Sequence, residues 1–508
     1  MSDVMTPISF SDMLTGLLAE YRENRSFYGV PVVNLEEPAP IGPAAGPHTQ
    51  LAGNIVSAYG AGAVYFELKT VQVLEGKELQ LQKPCIYVEN EVYNTEWSTE
   101  LTVKQAADEY IKAYLLLQIL SREFALVNMD KIHFVVSVGY DLAGIQSEKI
   151  DAFLESMKNA SKTKEWKQDI TFIKEHMQLF KHLEQNDIEE IQKKNRISDS
   201  VTLSTMHGCK SEEIERIVFY LMKEKGFHTY VKLNPTLIGK DAVKRTLQKK
   251  GYQDLEFNES IFQTDMTLDA AKQMITNCQQ AAKKCNRTFG VKLTNTFPVR
   301  IKHQELAGET MYLSGTALYP LAVQAVKALA EQFSNGLKMS YSGGADVSNI
   351  KALLETGLES VTVSSILLKP GGYKNITKLQ EAAKELKAVE GMNLEKLSAL
   401  AADAVQNPMY CKKHKAVSFE SKNEYSPLCG VCNNCVDVCP NRANVSFQKN
   451  GKKYVIHRER LCNECGCCVY TCVMGHKPYL EKFTVQEEER ILSLSEMINL
   501  VEKRGMNI

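Results

Sequence analysis

Short apolar runs alternate with amphipathic stretches over most of this chain. Seven runs have the β-branched and aromatic content of strands, and Pro40–Ala45 is an eighth candidate. The seven are Ala63–Leu68, Ile132–Val138, Ser200–Leu203, Thr229–Leu233, Phe289–Leu293, Leu337–Tyr341 and Ser360–Val363. Between them, stretches such as Glu212–Lys223 and Leu318–Gln332 place apolar residues three or four positions apart, which predicts helices. This alternation predicts a (β/α)8 barrel, a TIM barrel; an open doubly wound sheet is the alternative.

Changes in this pattern divide the chain into parts. We expect a helical extension at residues 1–30, the barrel at 31–388, a helical linker at 389–425, a cysteine-rich ferredoxin-like domain at 426–480 and a helical tail at 481–508. Within the barrel, residues 146–196 form a charged, helix-forming insertion, which we expect to be a solvated surface excursion near the barrel mouth.

Composition and charge exclude several classes of protein. Among 508 residues, 60 basic side chains face 61 acidic ones, which is not the electrostatic footprint of a protein that binds nucleic acid or acidic membranes. The chain does not begin with a basic segment followed by an apolar one, and its apolar runs fall far short of the roughly 20 residues that a membrane helix needs. We therefore expect a cytoplasmic protein with reduced cysteines.

Nine of the 14 cysteines fall between Cys429 and Cys472, a clustering that argues against a disulfide framework spread over the whole fold. Eight of them form two runs spaced C-x2-C-x2-C-x3-C, the spacing of bacterial two-cluster ferredoxins, in which the fourth cysteine of each run binds the other cluster. The spacing predicts one [4Fe–4S] cluster on Cys429, Cys432, Cys435 and Cys472, and another on Cys462, Cys465, Cys468 and Cys439. Cys467 is an extra thiol. Two structural zinc sites are the alternative, although such sites usually use paired C-x2-C motifs.

Glycine and serine residues follow the last two predicted strands. Gly343 and Gly344 come after the run LKMSY, and Ser364 and Ser365 come after SVTV. Backbone amides at these strand ends form phosphate sites in barrels of this kind. Because the chain has neither a G-x-G-x-x-G run after a strand nor a Walker lysine motif, the pattern favours a mononucleotide over a dinucleotide.

Longer motifs resemble a known group of flavoproteins. The segment PIGPAAGPHTQLAGNIVSAYGAGAVYFELKT at 40–70 is similar to the first two barrel strands of dihydroorotate and dihydropyrimidine dehydrogenases. VKLNP at 231–235, TNT at 294–296, SYSGGA at 340–345 and VTVSSILLKPG at 361–371 resemble later strand ends of those enzymes. Most of the barrel region more closely resembles the YgfK family, which carries a selenate reductase label. The resemblance covers roughly residues 1–390, with the ferredoxin part matching separately.

The resemblance implies FMN as a cofactor. It places Lys69 and Lys232 near the N5 and N1 regions of the flavin; an ion pair with a barrel carboxylate such as Glu67 is the alternative role for either lysine. The full set of cofactor positions that it implies is Ala44, Ala45, Gly46, Lys69, Thr70, Lys232, Asn295, Thr296, Gly343, Gly344, Ser364 and Ser365.

In the related dehydrogenases a loop cysteine or serine protonates the substrate. Here the matching run ends in Thr205, Met206, His207, Gly208 and Cys209, so the resemblance places Thr205 at the acid position. A threonine hydroxyl is a poor acid. We therefore place Cys209 slightly ahead of Thr205 as the acid, because free cysteine has a pKa near 8.5, with His207 as a relay. The alternative is that Cys209 is a packing thiol at a helix start.

The same resemblance suggests contacts with the substrate. Thr202 stands where the family has a substrate-binding asparagine, and Ser204 follows in the same run. Asn94 matches an asparagine that pairs with a pyrimidine edge. Glu96 and Glu100 could accept hydrogen bonds from the N–H groups of a ring. The alternative for the region around Asn94 is a simple helix cap.

Together these features predict an oxidoreductase that reduces a nitrogen heterocycle, by hydride transfer from flavin N5 and protonation by a loop acid. The family's placement in purine catabolism favours an oxopurine. We expect electrons from NAD(P)H to arrive through a separate FAD-containing flavoprotein, in a hetero-oligomer, and then through the two clusters. The alternatives are a pyrimidine reductase or an electron-transfer subunit of a molybdenum enzyme such as a selenate reductase.

Overall fold

Eight parallel strands form one sheet that curls into a nearly closed barrel. They are β1 (Ile41–Pro43), β2 (Tyr65–Glu67), β3 (His133–Val138), β4 (Ser200–Ser204), β5 (His228–Leu233), β6 (Phe289–Leu293), β7 (Lys338–Tyr341) and β8 (Val361–Val363). Their order is β1-β8-β7-β6-β5-β4-β3-β2. The two edge strands meet where the Val64 N–H donates to the Ile41 carbonyl at 3.0 Å. The predicted barrel is confirmed, with every strand in the expected place, and the open sheet is excluded.

This computed structural model describes residues 5–96, 98–204, 209–333, 336–386, 389, 391–413, 432–449, 451–485 and 494–503. Three residues to which the sequence assigns a role, Thr205, His207 and Cys429, lie outside these ranges. Among the described helices, none is both long enough and apolar enough to cross a membrane.

Helices surround the barrel and cover its strands. Those that follow β1 to β8 outside the insertion are Ala52–Gly60, Val103–Glu123, Ser211–Phe219, Lys240–Lys249, Leu268–Lys284, Tyr319–Phe333, Ile350–Leu354 and Lys374–Ala382, with Phe10–Asn24 before the barrel and Leu394–Gln406 after it. Local signals set their ends: Thr102 accepts from the Gln105 N–H in a capping box at the start of Val103–Glu123. The helix predicted at Glu212–Lys223 differs at its end, where a π-helical turn spans Tyr220–Glu224.

The insertion at 146–196 contains three helices, Glu148–Lys158, Lys164–Glu175 and Gln185–Lys193. Their charged faces point to solvent, as expected. Their other faces bury Phe153, Trp166 and other apolar residues in the main hydrophobic core, so the insertion is more than a solvated excursion. The reason is amphipathicity: each helix carries enough apolar residues on one side to pack against its neighbours.

A second sheet, which the sequence did not predict, is built from the segments that follow β2 and β6. Its four antiparallel strands run in the order Phe297–Arg300, Thr310–Gly315, Glu91–Asn94 and Ile86–Val88. We call it the cap sheet. Because its segments leave the barrel at the carboxyl ends of β2 and β6, it lies at the end where barrel enzymes carry their active sites.

The cysteine-rich segment packs directly on the barrel. It contains a hairpin of Asn444–Lys449 and Lys452–Arg458, joined in parallel by Phe483–Val485, and the short helices Asn434–Asp437, Cys467–Tyr470 and Pro478–Glu481; helix Leu494–Lys503 follows. The Pro440 carbonyl accepts hydrogen bonds from two barrel side chains, Asn54 at 2.9 Å and Tyr373 at 2.8 Å. That this segment is a ferredoxin-like domain stays a prediction, as do the other domain boundaries.

An ion pair crosses the interior of the barrel. Glu67 on β2 and Lys292 on β6 lie 3.0 Å apart, with side chains no more than 2% exposed. Lys292 also donates to Thr362 on β8 at 2.7 Å, and Glu67 accepts the Ala45 N–H from the loop after β1 at 3.1 Å. Burial favours the neutral form of Glu67, but the charges of Lys292 and Lys232, together with hydrogen bonds from Ala45 and Lys292, outweigh burial and hold the pKa of Glu67 below its ordinary value.

Breaking this pair should destabilise the barrel. Lys292→Met leaves a buried carboxylate without its partner, and we expect the free energy of unfolding to fall by about 3–5 kcal/mol. The measurement is urea unfolding followed by circular dichroism. Lys396→Met is the control, because Lys396 pairs with Glu355 at the surface, and it should cost about 1 kcal/mol or less. Equal losses in the two variants would contradict the central role of the pair.

Candidate functional site

A cavity of about 910 Å³, including its opening, lies at the carboxyl ends of the barrel strands. We call it the main cavity. Its walls come from the loops after β1, β2, β6, β7 and β8, from the cap sheet, and from one residue of the cysteine-rich segment. The predicted positions that line it are Ala44, Ala45, Gly46, Lys69, Asn94, Glu96, Glu100, Lys232, Thr296, Gly343, Gly344, Ser364 and Ser365. Its place in the fold is typical of ligand sites.

One wall is made of closely approaching backbone. Gly344 has φ +74°, and a Cβ there would lie 2.2 Å from the Gly315 carbonyl oxygen, so only glycine fits. A Cβ on Gly46 would lie 3.2 Å from the Ser364 hydroxyl oxygen. The Ser365 and Ser314 hydroxyls are hydrogen-bonded at 3.1 Å. This wall offers backbone and hydroxyl groups to a ligand without side-chain bulk.

A network of charged groups around Lys69 and Glu100 lies on another part of the cavity wall. Lys69 donates to Gln50 at 3.1 Å, and its ammonium lies 3.7 Å from one oxygen of Glu100, whose other oxygen pairs with Lys83. Burial favours the neutral form of Glu100, yet the charges of Lys69 and Lys83, together with hydrogen bonds from Lys83 and Asn463, outweigh burial and hold the pKa of Glu100 below the ordinary value. Glu100 is therefore ionised at neutral pH and fixes the ammonium groups around it.

The ends of β5 and β6 supply further polar groups. Lys232 and Thr296 line the main cavity, as does Thr294, whose hydroxyl is buried and has no protein partner within the described residues. Asn295 does not line the cavity; its amide donates to the Lys232 carbonyl at 3.3 Å and to Asn234 at 2.8 Å. Asn295 therefore joins two strand ends. The sequence suggested Glu67 as an ion-pair partner of Lys69 or Lys232. In the structure, Glu67 forms its ion pair with Lys292.

Several predicted positions lie beside the cavity and not on its wall. Thr70 shares a hydrogen bond of 2.8 Å with the Ser137 hydroxyl. Thr202 pairs in register with Ser137, and Ser204 pairs with Lys232 on the neighbouring strand. None of Thr70, Thr202 and Ser204 is among the described residues that line the cavity. Their contact with a cofactor or substrate stays a prediction.

On the cap sheet, Asn94 and Glu96 are joined to each other and to the following turn. Asn94 donates to the Glu96 carbonyl at 2.7 Å, and the Glu96 carboxylate accepts the Ser98 N–H at 2.6 Å. Asn94 makes its bond to Glu96 through the amide nitrogen and not through the amide oxygen. The cap sheet thus presents amide and carboxylate groups to the cavity, the kind of groups that read N–H and C=O edges of a ring.

Cys209 lies just before helix Ser211–Phe219 and does not line the main cavity as the described residues bound it. Burial raises the pKa of Cys209 to about 11, with the nearby carboxylates Glu213 and Asp141 adding to the effect. The thiol is therefore protonated at neutral pH. Since Thr205 and His207 lie outside the described residues, the identity of the loop acid stays a prediction.

A second cavity, of about 310 Å³, lies inside the cysteine-rich segment. We call it the cysteine cavity. Four predicted ligands of one cluster line it together, namely Cys439, Cys462, Cys465 and Cys468, and Cys467 lies beside them. Of the other predicted set, Cys432, Cys435 and Cys472 are described and Cys429 is not. Within the described residues, no group of three or more His, Cys, Asp or Glu side chains is arranged to hold a single metal ion.

The two cavities share a wall that the sequence did not reveal. Asn463, between Cys462 and Cys465, lines both cavities. The N–H groups of Cys85 and Ile86, which line the main cavity, donate to the Cys465 carbonyl at 3.2 and 2.9 Å. In the sequence, the only sign of this wall is that a polar residue, Asn463, lies inside a cluster motif. Polar residues are too common in such positions for this to be diagnostic.

An eight-stranded parallel barrel with a cavity at the carboxyl ends of its strands defines a TIM-barrel enzyme. Residues 19–412 match the family described as "Oxidoreductase YgfK, N-terminal TIM-barrel domain", and the chain belongs to this oxidoreductase family. It is 40% identical over 443 residues to the oxidoreductase YgfK of Escherichia coli K12 and to that of Escherichia coli O157:H7. Each match covers 82% of this chain and 42% of the relative, so the chain spans less than half the length of these relatives.

Among solved structures, the chain is similar to DHODH from Eimeria tenella in complex with ferulenol. That match has 14% identity and a TM-score of 0.39, and covers 73% of this chain and 84% of that one. The ligand-free DHODH of the same organism matches with 13% identity and a TM-score of 0.38, covering 74% of this chain and 92% of that one.

Proposed function

We propose that this chain binds FMN in the main cavity and [4Fe–4S] clusters at its two cysteine runs, and that it reduces an oxopurine. Electrons would come from NAD(P)H through a separate flavoprotein and then through the clusters. The observation that carries the proposal is the shared wall: a cavity with ammonium groups and a glycine–serine side adjoins a cavity lined by five cysteines, four of which are predicted ligands of one cluster.

The residues of the main cavity fit a flavin mononucleotide. A phosphate binds to backbone amides that are not covered by bulky side chains. One wall of the main cavity has few side-chain atoms, at Gly343, Gly344, Ser364 and Ser365. The buried, unpartnered hydroxyl of Thr294 supplies a hydrogen-bonding group for a ring or ribityl chain. When bound, FMN supplies the hydride-transfer chemistry that this chain's own side chains lack.

The remaining chemistry belongs to the protein. Lys69 and Lys232 provide positive charge on the cavity wall, where it stabilises negative charge on a bound ring. Asn94, from the cap sheet, orients a substrate edge by its amide. A loop acid, Cys209 or Thr205, supplies the proton that accompanies the hydride.

The cysteine cavity fits one of the two clusters. Its four predicted ligands come from both runs, because Cys439 ends the first run and the other three begin the second, as the two-cluster spacing requires. Burial raises the pKa of Cys465 and Cys468 well above the ordinary value, so these thiols ionise when metal binds and not before. A cluster here would lie directly behind the main-cavity wall.

Flavin binding should depend on the cavity lysines. Lys232→Met removes a positive charge from the wall, and we expect FMN to bind about tenfold more weakly or worse, because hydrogen bonds to charged groups are worth roughly 1.5–3 kcal/mol. The dissociation constant is measured from flavin fluorescence during titration. Lys327→Met, on the exposed face of helix Tyr319–Phe333, is the matched control. Unchanged FMN affinity in both variants would remove Lys232 from the site.

Metal content tests the cluster assignment. Anaerobically prepared protein should contain about eight iron and eight acid-labile sulfide atoms per chain. Cys465→Ala should lose about half of each, whereas Cys467→Ala should keep all, because Cys467 is not a ligand in the assigned set. Zinc with little iron in the wild-type protein would favour the alternative of structural zinc sites.

Reoxidation of the reduced protein identifies the substrate. Protein photoreduced without oxygen should recover its oxidised flavin spectrum rapidly on addition of an oxopurine and slowly without it. Recovery with uracil or thymine only would favour the pyrimidine reductase. If a molybdenum enzyme alone restores the spectrum, the reductase proposal is wrong and the electron-transfer role replaces it.

A further inference from the structure

The loop that carries Cys462 and Cys465 contributes one side chain to the main cavity. Asn463 is buried, with 3% of its surface exposed, and it lines the main cavity on one side and the cysteine cavity on the other. Its position between two predicted cluster ligands means that any group bound by those cysteines fixes its backbone on both sides. Asn463 is therefore placed to sense whether the cysteine cavity is filled.

A chain of hydrogen bonds leads from Asn463 into the main cavity. Asn441 donates to the Asn463 amide oxygen at 3.2 Å, and the Asn463 amide nitrogen donates to Glu100 at 2.9 Å. The same Glu100 oxygen lies 3.7 Å from the ammonium of Lys69. Apart from Glu100, Lys69 is anchored by the Gln50 amide at 3.1 Å. The position of Lys69 thus depends in part on a residue of the cluster loop, 363 positions beyond Glu100 in the chain.

We propose that Asn463 is a positioning residue that couples cluster assembly in the cysteine cavity to FMN binding in the main cavity. A cluster fixes Cys462 and Cys465; Asn463 then orients Glu100, and Glu100 holds Lys69 in place. Without the cluster, the loop loses the anchors at Cys462, Cys465 and Cys468, and Lys69 loses part of its restraint. Because coupling between two binding sites is reciprocal, bound FMN should also favour retention of the cluster. The inference rests on the proposed function, since it assumes FMN and a cluster in these cavities.

The test measures FMN affinity in the full chain, independently of any turnover. Iron-loaded wild-type protein and Asn463→Ala are stripped of flavin and titrated with FMN under anaerobic conditions, with flavin fluorescence as the readout. We expect binding to weaken roughly tenfold in Asn463→Ala while iron and sulfide contents stay at the wild-type level. Asn434→Ala is the matched control: Asn434 lies in the other cysteine run and donates to the Thr471 carbonyl within the same segment, at 3.1 Å. It should bind FMN like the wild type.

Iron removal provides the second arm. Chelation of iron from wild-type protein should weaken FMN binding by the same factor as Asn463→Ala, and chelation of the variant should add nothing further. Equal FMN affinity in iron-loaded wild type and Asn463→Ala would overturn the inference and leave the proposed function intact. Failure of the wild type to bind FMN at all would instead overturn the proposed function, and the inference with it.

If Asn463→Ala also loses iron, Asn463→Asp decides the matter. Aspartate has the size of asparagine but no N–H to donate to Glu100, so it removes the hydrogen bond, keeps the side-chain volume of the cluster loop and leaves the Glu100 carboxylate beside Lys69 unchanged. Weaker FMN binding with full iron content then supports the coupling, and unchanged binding with full iron content refutes it.

Discussion

The buried ion pair of Glu67 and Lys292 is the constraint on which the site depends. It ties β2 to β6, and through Thr362 and the Ala45 N–H it reaches β8 and the loop after β1. Compared with apolar residues of similar size, a buried pair of this kind adds little net stability. Its contribution here is positional: the loop that lines one side of the main cavity is held by a carboxylate that cannot move without exposing an unpaired charge. Because Ala45 and Thr362 line the main cavity, the pair and these two partners form its floor.

Above this floor, segments distant in sequence close the cavity. The cap sheet joins the segment after β2 to the segment after β6, with Tyr312 opposite Asn94 in its central pairing. The cysteine-rich segment then packs behind the cap, where the Cys465 carbonyl accepts the N–H groups of Cys85 and Ile86. Since backbone groups make these contacts, their geometry is set by the fold rather than by side-chain rotamers. An ion-paired floor and a backbone-bonded cap suit the redox site that we propose for this cavity.

The sequence was sufficient for the barrel and insufficient for the wall between the cavities. Strand Phe289–Leu293 is buried, and its apolar run is a local signal that predicts the strand residue for residue; the other barrel strands lie within two residues of their predicted bounds. The cap sheet was missed because its pairings are non-local and each strand is short. The partner of Glu67 was missed because an interior lysine in an apolar strand looks like a surface lysine until the barrel closes. Asn463 was missed because its partner Glu100 lies in another part of the chain, which no local pattern can reveal.

The extra cysteine of the second run contacts a residue of the main-cavity wall. Cys467 is fully buried, and its thiol donates to the Leu368 carbonyl at 3.3 Å. Leu368 lines the main cavity. In the proposed cluster a ligand would be a thiolate, which has no proton to donate, and this contact therefore suits the proposal in which Cys465 and Cys468 are ligands and Cys467 is not. The loop then contacts the barrel through three different groups, namely the Asn463 amide, the Cys465 carbonyl and the Cys467 thiol, none of which is a sulfur that the assigned cluster requires.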